Sequence, residues 1–166
     1  MEQLQSPLYL TALTVIAYIP LYLWLVIQKF LNGRLMAKFW SKSKERLTTC
    51  DVKLQKVFNE VIKYVDCSVI EGYRGEERQN KLFEEGKTKV KYPNARHNHN
   101  PSRAVDVAPY PIDWADRERF HLFAGFVLGI ARSMGIKLRW GGDWNMNFEV
   151  DDNKFDDFPH FELRKE

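Results

Sequence analysis

Three of the four histidines, His97, His99 and His160, stand among carboxylates in two segments, HNHNPSRAVDVAP (97–109) and DDFPHFEL (156–163). A catalytic zinc takes three protein ligands of these kinds, imidazole nitrogen and carboxylate oxygen, and keeps a fourth position for water or substrate. Asp106 lies between Val105 and Val107, so in a strand it points away from its apolar neighbours. His160 and Glu162 would share one strand face, and Asp157 precedes His160 by three residues across Pro159. A carboxylate beside such a metal is a natural acceptor for a proton lost by attacking water. On spacing alone, a metal site competes with an ordinary cluster of surface histidines near acids, and both readings stay open. His121, among Phe120, Leu122 and Phe123 in a helical stretch, reads as a structural or surface histidine. The two cysteines, Cys50 and Cys67, form no CxxC pair, which excludes a cysteine-built zinc site and a disulfide scaffold. A single bridge and two free thiols both fit.

The elements that must position these residues can be read from periodicity and breakers. Thr48, Thr49 and Asp51 offer N-caps for a helix whose apolar stripe is Leu54, Val57, Phe58, Val61, Ile62 and Val65. Cys67–Glu71 reads as a strand closed by Gly72, and Glu76–Phe83 as a helix ended by Gly86. Arg103–Ala108 alternates and is stopped by Pro109 and Pro111. A longer helix is expected from about Asp113 to Met134, with further strands at Lys137–Trp140 and Phe158–Leu163. Helices and strands mix without a βαβ rhythm or a Gly-rich phosphate loop, so the expected class is α+β. A net charge of +3, with basic and acidic residues alternating after position 50, gives no nucleic-acid footprint.

Composition changes sharply near residue 30. No charged side chain occurs between Glu2 and Lys29, and residues 7–27 are almost wholly apolar. About 20 such residues suffice to cross a bilayer, where a mid-helix proline such as Pro20 is tolerated. A run apolar on every face does not suit a core helix, and without a basic n-region or small-residue cleavage site it does not suit a signal peptide. The expectation is one N-terminal transmembrane helix anchored in a lipid bilayer. Six basic residues follow, Lys29, Arg34, Lys38, Lys42, Lys44 and Arg46, with Phe39 and Trp40 among them, in the manner of an interfacial segment.

The blocks EGYRGEERQ (71–79), HNHNPSRAVDVAPYPIDW (97–114), GIKLRWGGDW (135–144) and DDFPHFEL (156–163) resemble, in order, the phage and bacterial L-alanyl-D-glutamate / D-alanyl-D-alanine peptidase family. The resemblance runs from about Asp51 to Leu163. It implies a small antiparallel sheet with flanking helices, the zinc fold shared with hedgehog signalling domains. It implies zinc as cofactor and a peptidoglycan stem peptide as substrate. Position by position, it places the metal ligands on His97, Asp106 and His160, the catalytic carboxylate on Asp157, and a substrate-holding arginine on Arg74. From its own position, Glu162 could bind the metal or act as base, and the expected role is to orient a ligand from behind. In many relatives the histidine-to-aspartate interval is two residues shorter, which would select His99. The Pro101-Ser102 element suits the longer interval, so His97 is expected and His99 is the alternative. Trp140, Asp143 and Trp144, around Gly141-Gly142, either line the cleft or belong to a core turn.

Composition and resemblance together divide the chain into a membrane segment with its basic flank, residues 1–46, which lies outside the resemblance, and a zinc peptidase domain, residues 47–166. The resemblance implies an endolysin-like L-alanyl-D-glutamate endopeptidase. The alternatives are a D-alanyl-D-alanine carboxypeptidase, which would share the ligand set, and an inactive wall-binding protein tethered to the membrane. The basic flank favours a cytoplasmic domain by the positive-inside rule, whereas the substrate lies outside. The strongly apolar helix is expected to prevail, placing the domain on the outer side of a bacterial inner membrane.

Overall fold

The computed structural model describes residues 37–164. The expected membrane helix, with Lys29 and Arg34, lies outside the described residues. Among the described residues no helix is long and apolar enough to cross a membrane.

In chain order the elements are α1 (Ser41–Thr48), α2 (Val52–Val61), β1 (Cys67–Glu71), α3 (Glu76–Glu84), a 3-10 turn (Arg96–Asn98), β2 (Ala104–Pro109), α4 (Arg117–Ser133), β3 (Leu138–Gly141) and β4 (Asp157–Leu163). The four strands form one sheet in the order β1-β2-β4-β3 with every neighbouring pair antiparallel. This is the α+β class that the mixed pattern implied.

The helical stripe does what its spacing requires. Leu54, Val57, Phe58 and Val61 of α2 meet Phe123, Ala124, Val127 and Ala131 of α4 over Val69, Val105, Val107 and Phe161 of the sheet. Phe161 makes edge-on contacts with Phe58 and Phe123, with ring centroids 5.5 and 6.1 Å away. Each such side chain contributes about 1.5–3 kcal/mol by leaving water. Strand alternation then turns Asp106, His160 and Glu162 to the other face, clear of the helices.

Two local rules set the helix starts. Asp51 caps α2 by accepting from Lys53 N at 2.8 Å. Asp116 caps α4 by accepting from Arg119 N at 3.0 Å, so that helix begins at Arg117 and not near Asp113. Cys50 and Cys67 are free, buried thiols, and burial pushes both up to about 12.

The compact unit begins at Ala37, ahead of the boundary expected at residue 47. The basic flank supplies α1, which buries Ser43 and Leu47. Ser43 Oγ accepts from Val69 N at 3.1 Å, and Arg46 Nη1 donates to Val69 O at 2.9 Å. Phe39 packs against the core, while Trp40 is 80% exposed. Thus Phe39, Ser43, Arg46 and Leu47 serve the domain.

Two irregularities in the sheet re-aim residues near its polar face. In the β1–β2 ladder, Val69 faces Val107 but Glu71 faces Asp106, so Ile70 is an extra residue. In the β3–β4 ladder, Trp140 faces Phe161 but Gly141 faces Asp157, so Phe158, Pro159 and His160 bow out. Bulges of this kind direct side chains where strict alternation would not send them.

Candidate metal centre and active site

His97 sits in the 3-10 turn and is 2% exposed. The turn is strapped to the segment after β1: Arg74 N donates to His97 O at 2.9 Å, and Asn98 Nδ2 donates to Arg74 O at 2.7 Å. His97 Nδ1 lies 2.7 Å from Gly72 O. A carbonyl only accepts, so in the neutral ring the proton is on Nδ1 and the Nε2 lone pair faces inward. Gly72 leaves no room for a side chain, since a Cβ would strike Thr49 Oγ1 and Arg46 O.

His160 reaches the same point from β4. Its Nε2 lies 3.2 Å from Glu162 Oε2, a carboxylate that accepts the ring proton and turns the Nδ1 lone pair inward. Asp106, its neighbour across the β2–β4 ladder, supplies the third atom. Asp106 Oδ1 is 3.1 Å from His97 Nε2 and 3.1 Å from His160 Nδ1, and the two nitrogens are 3.2 Å apart. With neutral rings, three lone pairs converge with no hydrogen between them. Such a triangle repels itself unless a cation sits at its centre. Zinc–ligand bonds of about 2.0–2.2 Å in a tetrahedron place neighbouring ligand atoms about 3.3 Å or slightly more apart. The three residues therefore fit a zinc ion in both donor chemistry and spacing.

The electrostatics agree. Burial acts to raise Asp106, but the charges and hydrogen bonds of His97 and His160 overcome it and hold the carboxyl well below the usual range. Burial acts to lower His160, but hydrogen bonds to Asp106 and Glu162 prevail and raise it to about 9. In the metal-free protein a proton thus takes the place of a cation. Burial also acts to raise Glu162, yet His160 and Arg139 keep it low and charged.

The triangle lies in the wall of a cavity of about 960 Å³ that also includes Asp157, His99, Trp144 and Phe155. Asp157 stands at the start of β4, and the bow at 158–160 brings it to the cavity that holds His160. Burial, with the nearby charge of Asp106, raises its carboxyl above the ordinary range. A shift in that direction suits a carboxylate that must hold a proton for part of a reaction cycle. His99 is exposed on the cavity wall and stands outside the group of three.

Arg74 has a different setting from that of an open clamp. Its Nε and Nη2 donate to Glu71 Oε2 at 3.0 and 2.7 Å, Nη1 to Gln79 Oε1 at 3.2 Å, and Nη2 also to Asp106 Oδ2 at 3.2 Å. The extra residue Ile70 is what sets Glu71 opposite Asp106, with the guanidinium tied to both. The arrangement fixes the outer oxygen of Asp106 and leaves the inner one for a metal. The corresponding device behind His160 is Glu162, whose Oε1 accepts from Arg139 Nε and Nη2 at 3.0 and 2.6 Å.

Gly72, Glu71, Gln79 and Arg139 also belong to the site; they lie inside the blocks that carry the resemblance, but the resemblance gives them no role. Gln79 is fully buried and shares the inner face of α3 with Leu82, so the signal that could have drawn notice is a polar residue at the spacing of the apolar stripe. Of the three residues about the Gly-Gly turn, Trp144 lines the cavity, with its ring 5.5 Å from that of His160. Trp140 is core, donating to Phe158 O at 2.7 Å. Asp143 caps the turn by accepting from Asn147 N and Phe148 N, each at 3.1 Å. His121 bonds Arg117 O at 2.6 Å and packs on Trp140, in keeping with a structural role.

Comparison with known proteins agrees with this geometry. The sequence profile of the phage L-alanyl-D-glutamate peptidase family matches residues 35–164. The L-alanyl-D-glutamate peptidase of Escherichia phage T5 is 31% identical over 120 residues, which cover 69% of this chain and 87% of that protein. The peptidoglycan L-alanyl-D-glutamate endopeptidase CwlK of Bacillus subtilis is 31% identical over 114 residues, 61% of this chain and 62% of that one. Among solved structures, the Serratia marcescens L-Ala D-Glu endopeptidase ChiX superposes with a TM-score of 0.61 at 27% identity, covering 80% of this chain and 94% of that one.

Proposed function

The chain belongs to the phage L-alanyl-D-glutamate peptidase family, and on that premise we propose that it hydrolyses the L-alanyl–D-glutamate bond of peptidoglycan stem peptides with zinc held by His97, Asp106 and His160. The observation that carries the metal assignment is the triangle of lone pairs at 3.1–3.2 Å in the cavity wall. When bound there, zinc would act as a Lewis acid on the peptide carbonyl and lower the pKa of water.

The remaining roles fall to the protein. Asp157, held above the ordinary carboxylate range, takes the proton of the water whose oxygen adds to the alanyl carbonyl carbon. It returns that proton to the glutamyl nitrogen as the C–N bond breaks, so one water is consumed and an acid and an amine are released. Arg74 fixes Asp106, and Glu162, steadied by Arg139, fixes the tautomer and tilt of His160. Arg74 is therefore assigned to positioning a ligand. Loss of such a partner commonly costs about 10–100-fold in metal affinity or activity.

The test is digestion of purified muropeptides by the full chain, with mass-spectrometric identification of the new ends and measurement of zinc content. The expected result is one equivalent of zinc and new L-alanine carboxyl and D-glutamate amino termini. A cut between the two D-alanines, or an active zinc-free His160→Ala protein, would overturn the reading.

For location, the uncharged run at residues 7–27 and a substrate outside the cell support a domain tethered on the outer side of the bacterial inner membrane. A C-terminal alkaline phosphatase fusion should then be active in intact cells. An inactive fusion would assign the domain to the cytoplasm, as the basic flank alone would have it.

A further inference from the structure

Besides Arg74, which is tied to Glu71 and Asp106, four arginines, Arg96, Arg103, Arg139 and Arg164, line the cavity. Among the described residues the carboxylate that any of them pairs with is Glu162, 2.6 Å from Arg139 Nη2 and 3.7 Å from Arg96 Nε. Glu162 is already engaged by His160. With Glu71 and Asp106 engaged by Arg74, Glu162 and Asp157 stand against these four guanidinium groups and the ammonium groups of Lys87 and Lys89, so the lining carries an excess of positive charge.

Arg103 and Arg164 are where the excess is available. Both are exposed, and among the described residues neither guanidinium takes part in an ion pair. Their backbones run side by side, since Leu163 N donates to Arg103 O at 2.9 Å and Arg164 N donates to Lys137 O at 3.1 Å, and both residues line the cavity. His160, Glu162 and Arg164 therefore follow one another on one face of an extended chain. At about 6.7 Å per two residues, Arg164 lies about 13 Å along that face from His160. A substrate peptide laid in the cleft advances at the same rate, so it would meet the arginine pair within a few residues of the bond being cut.

We propose that Arg103 and Arg164 form an anion subsite that binds free carboxylate on the glutamyl side of the substrate. The proposal rests on the reading that the substrate is an L-alanyl-D-glutamate peptide. The chemistry is specific to that side. A glutamate within a chain uses one of its two carboxyl groups for the onward peptide bond, and the other remains a free anion. A peptide C-terminus adds a second. Guanidinium groups match carboxylate in shape and charge, and a cleft of one sign gathers the opposite one.

The experiment compares L-Ala–D-Glu–L-Lys with the same tripeptide amidated at both free carboxyls, using the wild-type chain, R103Q/R164Q and R103K/R164K. Wild type should show a KM about tenfold or more lower for the acid form, as expected for a charge-assisted hydrogen bond. R103Q/R164Q should lose that preference while its kcat on the amidated peptide stays within about twofold of wild type. R103K/R164K should keep part of the preference, because the charge remains. A glutamine variant that discriminates between the peptides as wild type does would overturn the proposal. Calorimetric binding of the product D-Glu–L-Lys separates this inference from the functional reading, since it needs no cleavage. Tight binding to wild type and about tenfold weaker binding to R103Q/R164Q support the subsite even if the tripeptide is not cut. Equal binding to both refutes it even if the tripeptide is cut.

Discussion

The contact between Gly141 and Asp157 offers the sharpest test of how the cavity is built. In the β3–β4 ladder these residues face each other across the bow of β4. A Cβ on Gly141 would overlap the Asp157 carbonyl oxygen and stand 3.0 Å from Asp157 Cβ. Both obstacles lie on or next to the backbone, so Gly141→Ala must push the strands apart at that point, by roughly 1 Å to restore ordinary contact. The stability cost of such overpacking is about 1–3 kcal/mol, a fall in melting temperature of roughly 3–12 °C for a domain of this size. The cost to activity is larger than that figure suggests. A displacement of about 1 Å in a reacting group can lower the rate by about 100-fold, equivalent to about 2.7 kcal/mol in the barrier. Meanwhile His97, Asp106 and His160 hang on the 3-10 turn, β2 and the β2-paired part of β4. The assay is steady-state cleavage of a purified muropeptide beside zinc content and a thermal melt. Low turnover with zinc retained is the expected combination. A folded, zinc-loaded Gly141→Ala enzyme with wild-type turnover would refute the argument that this contact places the Asp157 carboxylate.

Asp157→Asn should keep zinc yet lose activity about 100-fold or more; near-normal turnover would move the proton-transfer role to Glu162 or another carboxylate. The same variant, stripped of metal, should melt above metal-free wild type at pH 7. Asp157 has a raised folded pKa, so the wild type is not penalised below the unfolded value and bears the buried charge only as pH rises through the folded one. Differential scanning at pH 3 and 7 should show a gap that closes in acid. His97→Ala should lose zinc while His99→Ala keeps most of it, read by metal analysis after dialysis; the reverse result would move the ligand to His99. Because metal-free His160 holds a proton up to about pH 9, zinc must displace it. Competition titration with a chelator should therefore show affinity rising about tenfold per pH unit from 7 towards 9.

The parts of the fold legible in the sequence are those fixed by local repetition. The stripe Leu54, Val57, Phe58 and Val61 defines α2, and alternation around Asp106 defines β2 together with the face on which its carboxylate lies. The convergence of His97, Asp106 and His160 is reached through motif resemblance, because nothing local in the sequence states that a turn and two strands meet at one point. Arg139 escapes notice for a related reason. Its meaning lies in the β3–β4 register, which pairs it with Glu162, and register is a tertiary property. The helix α1 is hidden because SKSKERLT buries only Ser43 and Leu47, too thin a stripe to stand out against its charge. The setting of Arg74 depends on Ile70 being an extra residue, and a run such as CSVIE does not announce a bulge.

The docking of α1 on β1 has a practical side. β1 is an outermost strand, and a bare outermost strand offers its free N–H and C=O groups to any other chain that can pair with it, the usual seed of aggregation. Here the two outward groups of Val69 are engaged, one by Ser43 and the other by Arg46. These polar side chains do the work of a fifth strand without offering an edge of their own. A domain cut at residue 47 would lose both and uncover that margin, inviting copies to zip together. A domain cut at Ala37 keeps its margin shut.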